Sequence, residues 1–237
     1  MNMPLNTLAN TLDPVAQARY NMIEQQIRPW NVLDLDVLDL LAVVRREEFV
    51  PEAYRSMAFM DIEVPLLGSD AEEAVRLGHS MLQPRVEARM LQDLRLKPTD
   101  RVLEIGAGSG YMAALLAAQA EQVVSLEIVP ELATMARANL RRAGVQNVDV
   151  RQGDGARDTI PGDLFDVIVL SGSVAEVPTA LLSQLRDGGR LGGIVGSDPV
   201  MCFTLVTRTG DRFETATPWD TMAPRLANFP EPSGFTF

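Results

Sequence analysis

Glu104, Gly106, Gly108 and Gly110 stand together in V-L-E-I-G-A-G-S-G-Y, at the end of a short apolar run. Glycines at this spacing let a backbone turn sharply and lie close against a ligand, because a Cβ would block positive φ or close approach. The spacing is G-x-G-x-G, whereas a dinucleotide fingerprint reads G-x-G-x-x-G and seats a pyrophosphate on a helix N-terminus. NAD is disfavoured on that ground. An acid two residues before the first glycine suits a ligand carrying an ammonium group better than one carrying phosphates. Glu127 closes the next apolar run, where an acid accepts hydrogen bonds from ribose hydroxyls. Asp154, in Q-G-D-G-A, follows the third run, where it can accept from an adenine amino group. The set describes a site for a nucleoside with an amino-acid tail.

A second group precedes it. Residues 77–84 read L-G-H-S-M-L-Q-P and hold the one histidine of the chain, His79, beside Ser80. If the segment is extended, residues two apart project to one side, so Ser80 and Leu82 are expected to face a pocket, with Met81 turned away. A lone histidine is more often structural than catalytic, and His79 is carried only as a candidate. Asp61, in F-M-D-I-E-V-P, is another candidate, set against the frequency of exposed loop acids. Ser171, Gly172 and Ser173 follow the fourth apolar run and either line the same pocket or form only a loop.

Elements of α/β type must position these residues. From residue 101, the runs R-V-L-E-I-G, Q-V-V-S-L-E, V-D-V-R-Q-G, F-D-V-I-V-L-S-G and G-R-L-G-G-I-V-G read as strands. The segments G-Y-M-A-A-L-L-A-A-Q-A, V-P-E-L-A-T-M-A-R-A-N-L-R-R-A-G and P-T-A-L-L-S-Q-L-R-D-G-G read as helices between them. Apolar strands alternating with helices predict a doubly wound, Rossmann-like sheet, mostly parallel and covered on both faces. M-C-F-T-L-V-T-R and R-F-E-T-A-T-P-W, joined by T-G-D, complete seven strands as a terminal antiparallel hairpin. The first hundred residues read as a helical extension. Asp13-Pro14 starts a helix expected to reach Pro29, a second spans about Asp36 to Arg46, and E-E-F-V-P-E-A-Y-R-S-M-A-F adds a short third piece. A single domain over 1–237 is expected, with 1–95 as cap and substrate-side segment and 96–237 as the cofactor-binding core. The tail from Trp219 either folds over the cleft or docks on a partner chain.

Composition narrows the partners. With 21 Lys+Arg against 32 Asp+Glu, the charge is −11 and no basic run stands out, so nucleic acid is not an expected partner. The one cysteine, Cys202, lies in the apolar run V-M-C-F-T-L-V and is read as a buried core residue. One thiol builds neither an internal disulfide nor a zinc cage, and no metal is expected. No window approaches a membrane span and the N-terminus lacks a signal-like pattern, so a soluble cytoplasmic protein is expected.

The motifs also carry a resemblance. R-E-E-F-V-P-E-A-Y-R-S-M-A-F-M-D-I-E-V-P-L-L-G, G-H-S-M-L-Q-P-R-V-E-A-R-M-L, V-L-E-I-G-A-G-S-G-Y, G-D-G-A and V-P-T-A-L-L-S-Q-L-R-D-G-G are similar, in order and spacing, to the protein-L-isoaspartate O-methyltransferase family, over roughly residues 20–195. The resemblance implies S-adenosylmethionine as cofactor and methyl transfer to the α-carboxylate of L-isoaspartyl residues in proteins or peptides. The implied cofactor-binding set is Glu104, Gly106, Ala107, Gly108, Gly110, Glu127, Ile128, Asp154, Gly155 and Ser171. The implied catalytic set is Asp61, His79, Ser80 and Leu82. In the family the segment usually reads like G-Q-T-I-S-Q-P, and its serine contacts the isoaspartyl group; Leu82 stands at that place, and Ser80 answers the threonine. Three other readings stand beside this one: a divergent member methylating another acceptor, a non-catalytic cofactor-binding interaction protein and, last, an NAD-dependent oxidoreductase. Oligomeric state is not legible.

Overall fold

The structure, a computed structural model, describes residues 13–68, 70–158, 160 and 164–231. Asp13 accepts from the Val15 amide at 3.0 Å and Pro14 takes the first helical position, so α1 (Pro14–Met22) starts as expected. It does not run on to Pro29 as one α-helix. Ile23–Ile27 form a wider π turn and Arg28–Trp30 a 3-10 turn. Pro29 has no amide to donate to a carbonyl one turn back, which ends the regular ladder.

The second helix also differs from expectation. Asp34 caps it by accepting from the amides of Asp36 and Val37, so α2 covers Leu35–Val43 and stops before Arg46. Val44 is already extended, at ψ 103°, and Arg46–Glu48 form a separate 3-10 turn that carries the Arg46 side chain into the interior. A longer 3-10 stretch, Glu52–Phe59, is the expected third piece. β1 (Val64–Pro65) then pairs antiparallel with β2 (Ser80–Met81), with α3 (Ala71–Arg76) looping out between them. α4 (Pro84–Leu94) follows, with Pro84 at its first turn.

The main sheet is built from β3 (Arg101–Ile105), β4 (Gln122–Glu127), β5 (Val148–Gln152), β6 (Phe165–Val174), β7 (Leu185–Ser197), β8 (Val200–Thr209) and β9 (Arg212–Asp220). Their order is β5-β4-β3-β6-β7-β8-β9. The first five are parallel to one another, and the β7/β8 and β8/β9 pairs are antiparallel. α5 (Tyr111–Ala117) and α6 (Pro130–Arg142) lie between the early strands in the chain. Alternation along β6 serves two cores: Val167 and Val169 join the cluster beneath α4, α5 and α6, and Ile168 and Leu170 join the one on the other face.

Two local readings fail. The segment after Pro178 is helical only over α7 (Thr179–Leu182), because Leu185 already pairs with Phe165 and draws R-D-G-G into β7. Cys202 is not a core residue. Its neighbours Met201 and Phe203 are buried, while Cys202 itself is half-buried with Sγ 3.2 Å from Asp220 Oδ1 on the paired strand. Period-two alternation sends it to the opposite side from Phe203.

Candidate active site

The strand order reverses at β3, which has β4 on one side and β6 on the other. In such a sheet the crevice for ligands lies beyond the carboxyl ends of these strands. Gly106, just past β3, adopts φ +94° and its amide donates to Leu126 O at 2.8 Å, which a side chain would disfavour. Gly108, Glu127, Ile128, Asp154 and Gly155 line the same cleft, and Ser171 of β6 completes that wall. His79 and Ser80 of β2 and its approach face it from the other side.

Each acid has a distinct setting. Glu127 is buried, and its two carboxylate oxygens accept from the Gly108 amide at 2.8 Å and the Val129 amide at 2.9 Å. Those bonds orient the carboxylate at the cleft and leave further lone pairs for a ligand. Asp154 accepts from the Ala156 amide at 3.0 Å and from Asn228 Nδ2 at 2.8 Å. Glu104 does not border the cleft. It is fully buried, accepting from Ser125 Oγ at 2.5 Å and Ser171 Oγ at 2.8 Å, so an ammonium group meets Ser171 before it meets Glu104. Burial pushes the Glu104 carboxyl up to about 7, the two hydroxyls offset part of that, and the charges of Glu87 and Glu127 add to it.

Other expected positions separate. Gly110 caps α5 at close approach to Ala136 of α6 and does not line the cleft. Asp61 lies away from it, paired with Arg85 at 2.9 Å, whose guanidinium stacks over Trp30. Gly172 and Ser173 lie beneath the tail: Leu226 packs on Gly172, and the Ser173 amide donates to Pro224 O at 2.7 Å.

Ser80 lines the cleft, and Ser80 and Leu82 share a small cavity beside it. The Ser80 hydroxyl oxygen is buried and without a well-formed hydrogen bond. Beside it, desolvation raises the Glu63 carboxyl, and the Ser80 hydroxyl partly offsets this. Leu82 is 6% exposed and borders this second cavity, of about 20 Å³, together with Ser80, Gly106, Gly108 and Ser171, which also line the cleft, and with Met81 and Glu87. That space holds no more than a water. Below it, the fully buried Arg46 donates to Leu82 O at 2.6 Å and to Glu87, and its guanidinium lies 5.1 Å from the Tyr111 ring centre.

The sequence reading missed two groups. Arg46 and Glu87 lie in helical segments whose pattern does not mark them as partners. Arg225, Leu226 and Phe229 come from the tail, where residues 224–229 fold over the cleft, the first of the two placements considered for it. The apolar residues of A-P-R-L-A-N-F were the available signal.

Comparison with known proteins decides the family. The sequence model described as Protein-L-isoaspartate(D-aspartate) O-methyltransferase matches residues 17–217. The chain belongs to this family. A protein-L-isoaspartate O-methyltransferase of Koribacter versatilis is 38% identical over 196 residues, covering 83% of this chain and 84% of that protein. Protein-L-isoaspartate O-methyltransferase 1 of Rhodopseudomonas palustris is 42% identical over 183 residues, covering 77% and 71%. Among solved structures, a candidate protein-L-isoaspartate O-methyltransferase from Plasmodium falciparum, in complex with S-adenosyl-L-homocysteine, shares the fold. Its TM-score is 0.73 at 19% identity, over 90% of this chain and 98% of that one. The seven-stranded, mostly parallel architecture is thus the architecture of this methyltransferase family.

Proposed function

We propose that this protein is an S-adenosylmethionine-dependent carboxyl O-methyltransferase acting on L-isoaspartyl residues of proteins or peptides. The observation that carries the reading is the meeting of the His79-Ser80 segment with the glycine loop across one cleft, in a chain that the family matches over residues 17–217. The cleft fits the cofactor chemically. Gly106 and Gly108 present bare backbone, Glu127 would offer carboxylate lone pairs to ribose hydroxyls, and Asp154 would accept from the adenine amino group. Ile128 and Gly155 would lie along the base, Ala107 belongs to the glycine loop, and Ser171, held by Glu104, would receive the amino-acid end. When bound, S-adenosylmethionine supplies a methyl group on positively charged sulfur.

The residues of the chain then have to align and exclude water. An acceptor carboxylate is already a nucleophile at neutral pH, so no general base is needed. Its oxygen would form the new C–O bond as the C–S bond of the bound cofactor broke, with the electron pair left on sulfur and no proton moved. Ser80 is the hydroxyl on this side that would donate to the carboxylate, turning to it from the neighbouring Glu63. His79 borders the same side, whereas Leu82 acts as an apolar wall of the inner cavity and Asp61 holds Arg85. Residues 1–95 serve as cap and 96–237 as core of one domain. Among the described residues no helix is long and apolar enough to cross a membrane; a cytoplasmic protein without nucleic-acid partners is the reading we favour.

The test is methyl transfer from labelled cofactor to an isoaspartyl peptide and to its aspartyl twin. Transfer to the first alone is expected, and none to either refutes the proposal. A second reading, methylation of a different carboxylate, rests on Leu82, where the resemblance places a hydroxyl; turnover of other carboxylates without the isoaspartyl peptide favours it.

A further inference from the structure

After β9 the tail turns back along the end of β6. The Ser173 amide donates to Pro224 O at 2.7 Å and the Leu226 amide to Ser173 O at 2.8 Å, a one-residue parallel bridge that sets Arg225 beside Ser173. Arg225 O comes within 3.2 Å of where a Cβ on Gly78 would stand, so the tail and the His79-Ser80 segment meet at this wall. Arg225 lines the cleft, and its side chain, about a third exposed, sits at the rim. Its Nη1 donates to Gly196 O at 2.9 Å and to Ser173 Oγ at 3.4 Å, and its Nε pairs with the exposed Glu231 at 2.8 Å. Nη2 has no partner among the described residues.

The cleft has an electrostatic problem that this residue answers. Its walls carry Glu127 and Asp154, and the chain as a whole is at −11. A carboxylate entering such a site is repelled and stripped of water, and it needs a cation and several donors. Arg225 is the one lysine or arginine lining the cleft among the described residues. With Leu82 standing where the resemblance has a hydroxyl, Ser80 alone offers a single neutral donor.

We propose that Arg225 is a specificity-determining residue that receives the acceptor's carboxylate, with Glu231 as the anion the substrate displaces. The inference rests on the isoaspartyl reading above and goes beyond it, since residue 225 lies past the stretch matched to the family, which ends at 217. A guanidinium donates to one carboxylate oxygen in a fixed geometry and leaves a lone pair on the other free to attack.

The experiment compares wild type, Arg225→Met, Arg225→Lys and Glu231→Gln in steady-state methylation of an isoaspartyl peptide, with calorimetric binding of S-adenosylhomocysteine to each. Arg225→Met is expected to raise the peptide KM roughly ten- to a hundredfold, with kcat and S-adenosylhomocysteine affinity within about threefold of wild type. Arg225→Lys should recover part of the KM, because it keeps the charge and loses the fork. Glu231→Gln leaves the tail's anchor on Gly196 intact and should lower KM by a few-fold. An unchanged KM in Arg225→Met overturns the proposal, as does an equal loss of S-adenosylhomocysteine affinity, which would assign the guanidinium to the cofactor's own carboxylate or to the tail alone. A KM unchanged or raised in Glu231→Gln overturns it too. Wild type without isoaspartyl turnover would instead sink the underlying function, a result read before any variant.

Discussion

Arg46→Met isolates the buried ion pair that underpins the acceptor segment. Arg46 is 0% and Glu87 4% exposed, and the guanidinium also holds Leu82 O at 2.6 Å. Removing the cation leaves three unmet demands: a buried carboxylate, a backbone carbonyl without its donor, and an aromatic face without its cation. The second costs about 1–3 kcal/mol and the third about 1–2. The stranded carboxylate dominates, and breaking a pair of this kind costs about 3–5 kcal/mol in all. For a chain of this size each kcal/mol moves Tm by about 2–4 °C, so a drop on the order of 6–20 °C is expected.

The loss must depend on pH. Burial already pushes Glu87 up to about 7 with Arg46 present, and without the guanidinium it rises further. A carboxyl whose folded pKa exceeds its unfolded value of 4.5 keeps its proton in the native state and penalises folding increasingly as pH rises through that window. The Arg46→Met deficit should therefore be larger at pH 8.5 than at pH 6. Arg46→Met combined with Glu87→Leu should recover most of the loss, since neither charge is then buried alone. Calorimetric melts of the three proteins at both pH values provide the check. A Tm drop below about 3 °C in the single variant, or a double variant no more stable than the single, would refute the assignment of this pair as the support beneath Leu82.

Glu127→Ala should weaken S-adenosylhomocysteine binding by at least ten- to a hundredfold in calorimetry, because a charge-assisted acceptor is lost and the Gly108 and Val129 amides lose their anchor; a change under threefold would contradict its role. Glu104→Gln should flatten the pH dependence of stability. The wild-type carboxyl, raised from 4.5 to about 7, holds its proton in the folded state and costs stability as pH climbs through that window, by about 3 kcal/mol. Melts of wild type and variant that stay parallel from pH 5 to pH 8 would argue against it. Ser80→Ala should cut kcat/KM for the isoaspartyl peptide by roughly ten- to a hundredfold while leaving Tm nearly unchanged, since the hydroxyl has no well-formed bond to lose. A large Tm drop would mean that Ser80 is structural.

Local chemistry wrote much of this protein plainly. The alternation of Val-, Ile- and Leu-rich runs with helical segments determines a parallel sheet, because strands buried on both faces have no polar side to show. T-G-D between two such runs determines a hairpin. The glycine loop, Glu127 and Asp154 follow strand ends, and strand ends of one parallel sheet meet at one edge, so their convergence in a cleft is a consequence of sequence order.

What depended on distance in the chain waited for the tertiary structure. Pro29 ends the first helical stretch and Asp34 starts the second, and because α2 ends at Val43, Arg46 sits on a separate 3-10 turn from which its side chain reaches Glu87, 41 residues on. Leu82 shares a small cavity with Ser80, as extended geometry led one to expect, but that its carbonyl is held by Arg46 was not legible. Glu104 looked like a ligand for an ammonium group until Ser125 and Ser171, from two other strands, occupied its oxygens. The tail has no periodicity to declare its destination, and the groups that hold the Arg225 guanidinium are Ser173 and Gly196, 52 and 29 residues away. A pattern in sequence reports which face of its own element a residue occupies; which partner satisfies a buried charge is decided only when elements remote in sequence close around it.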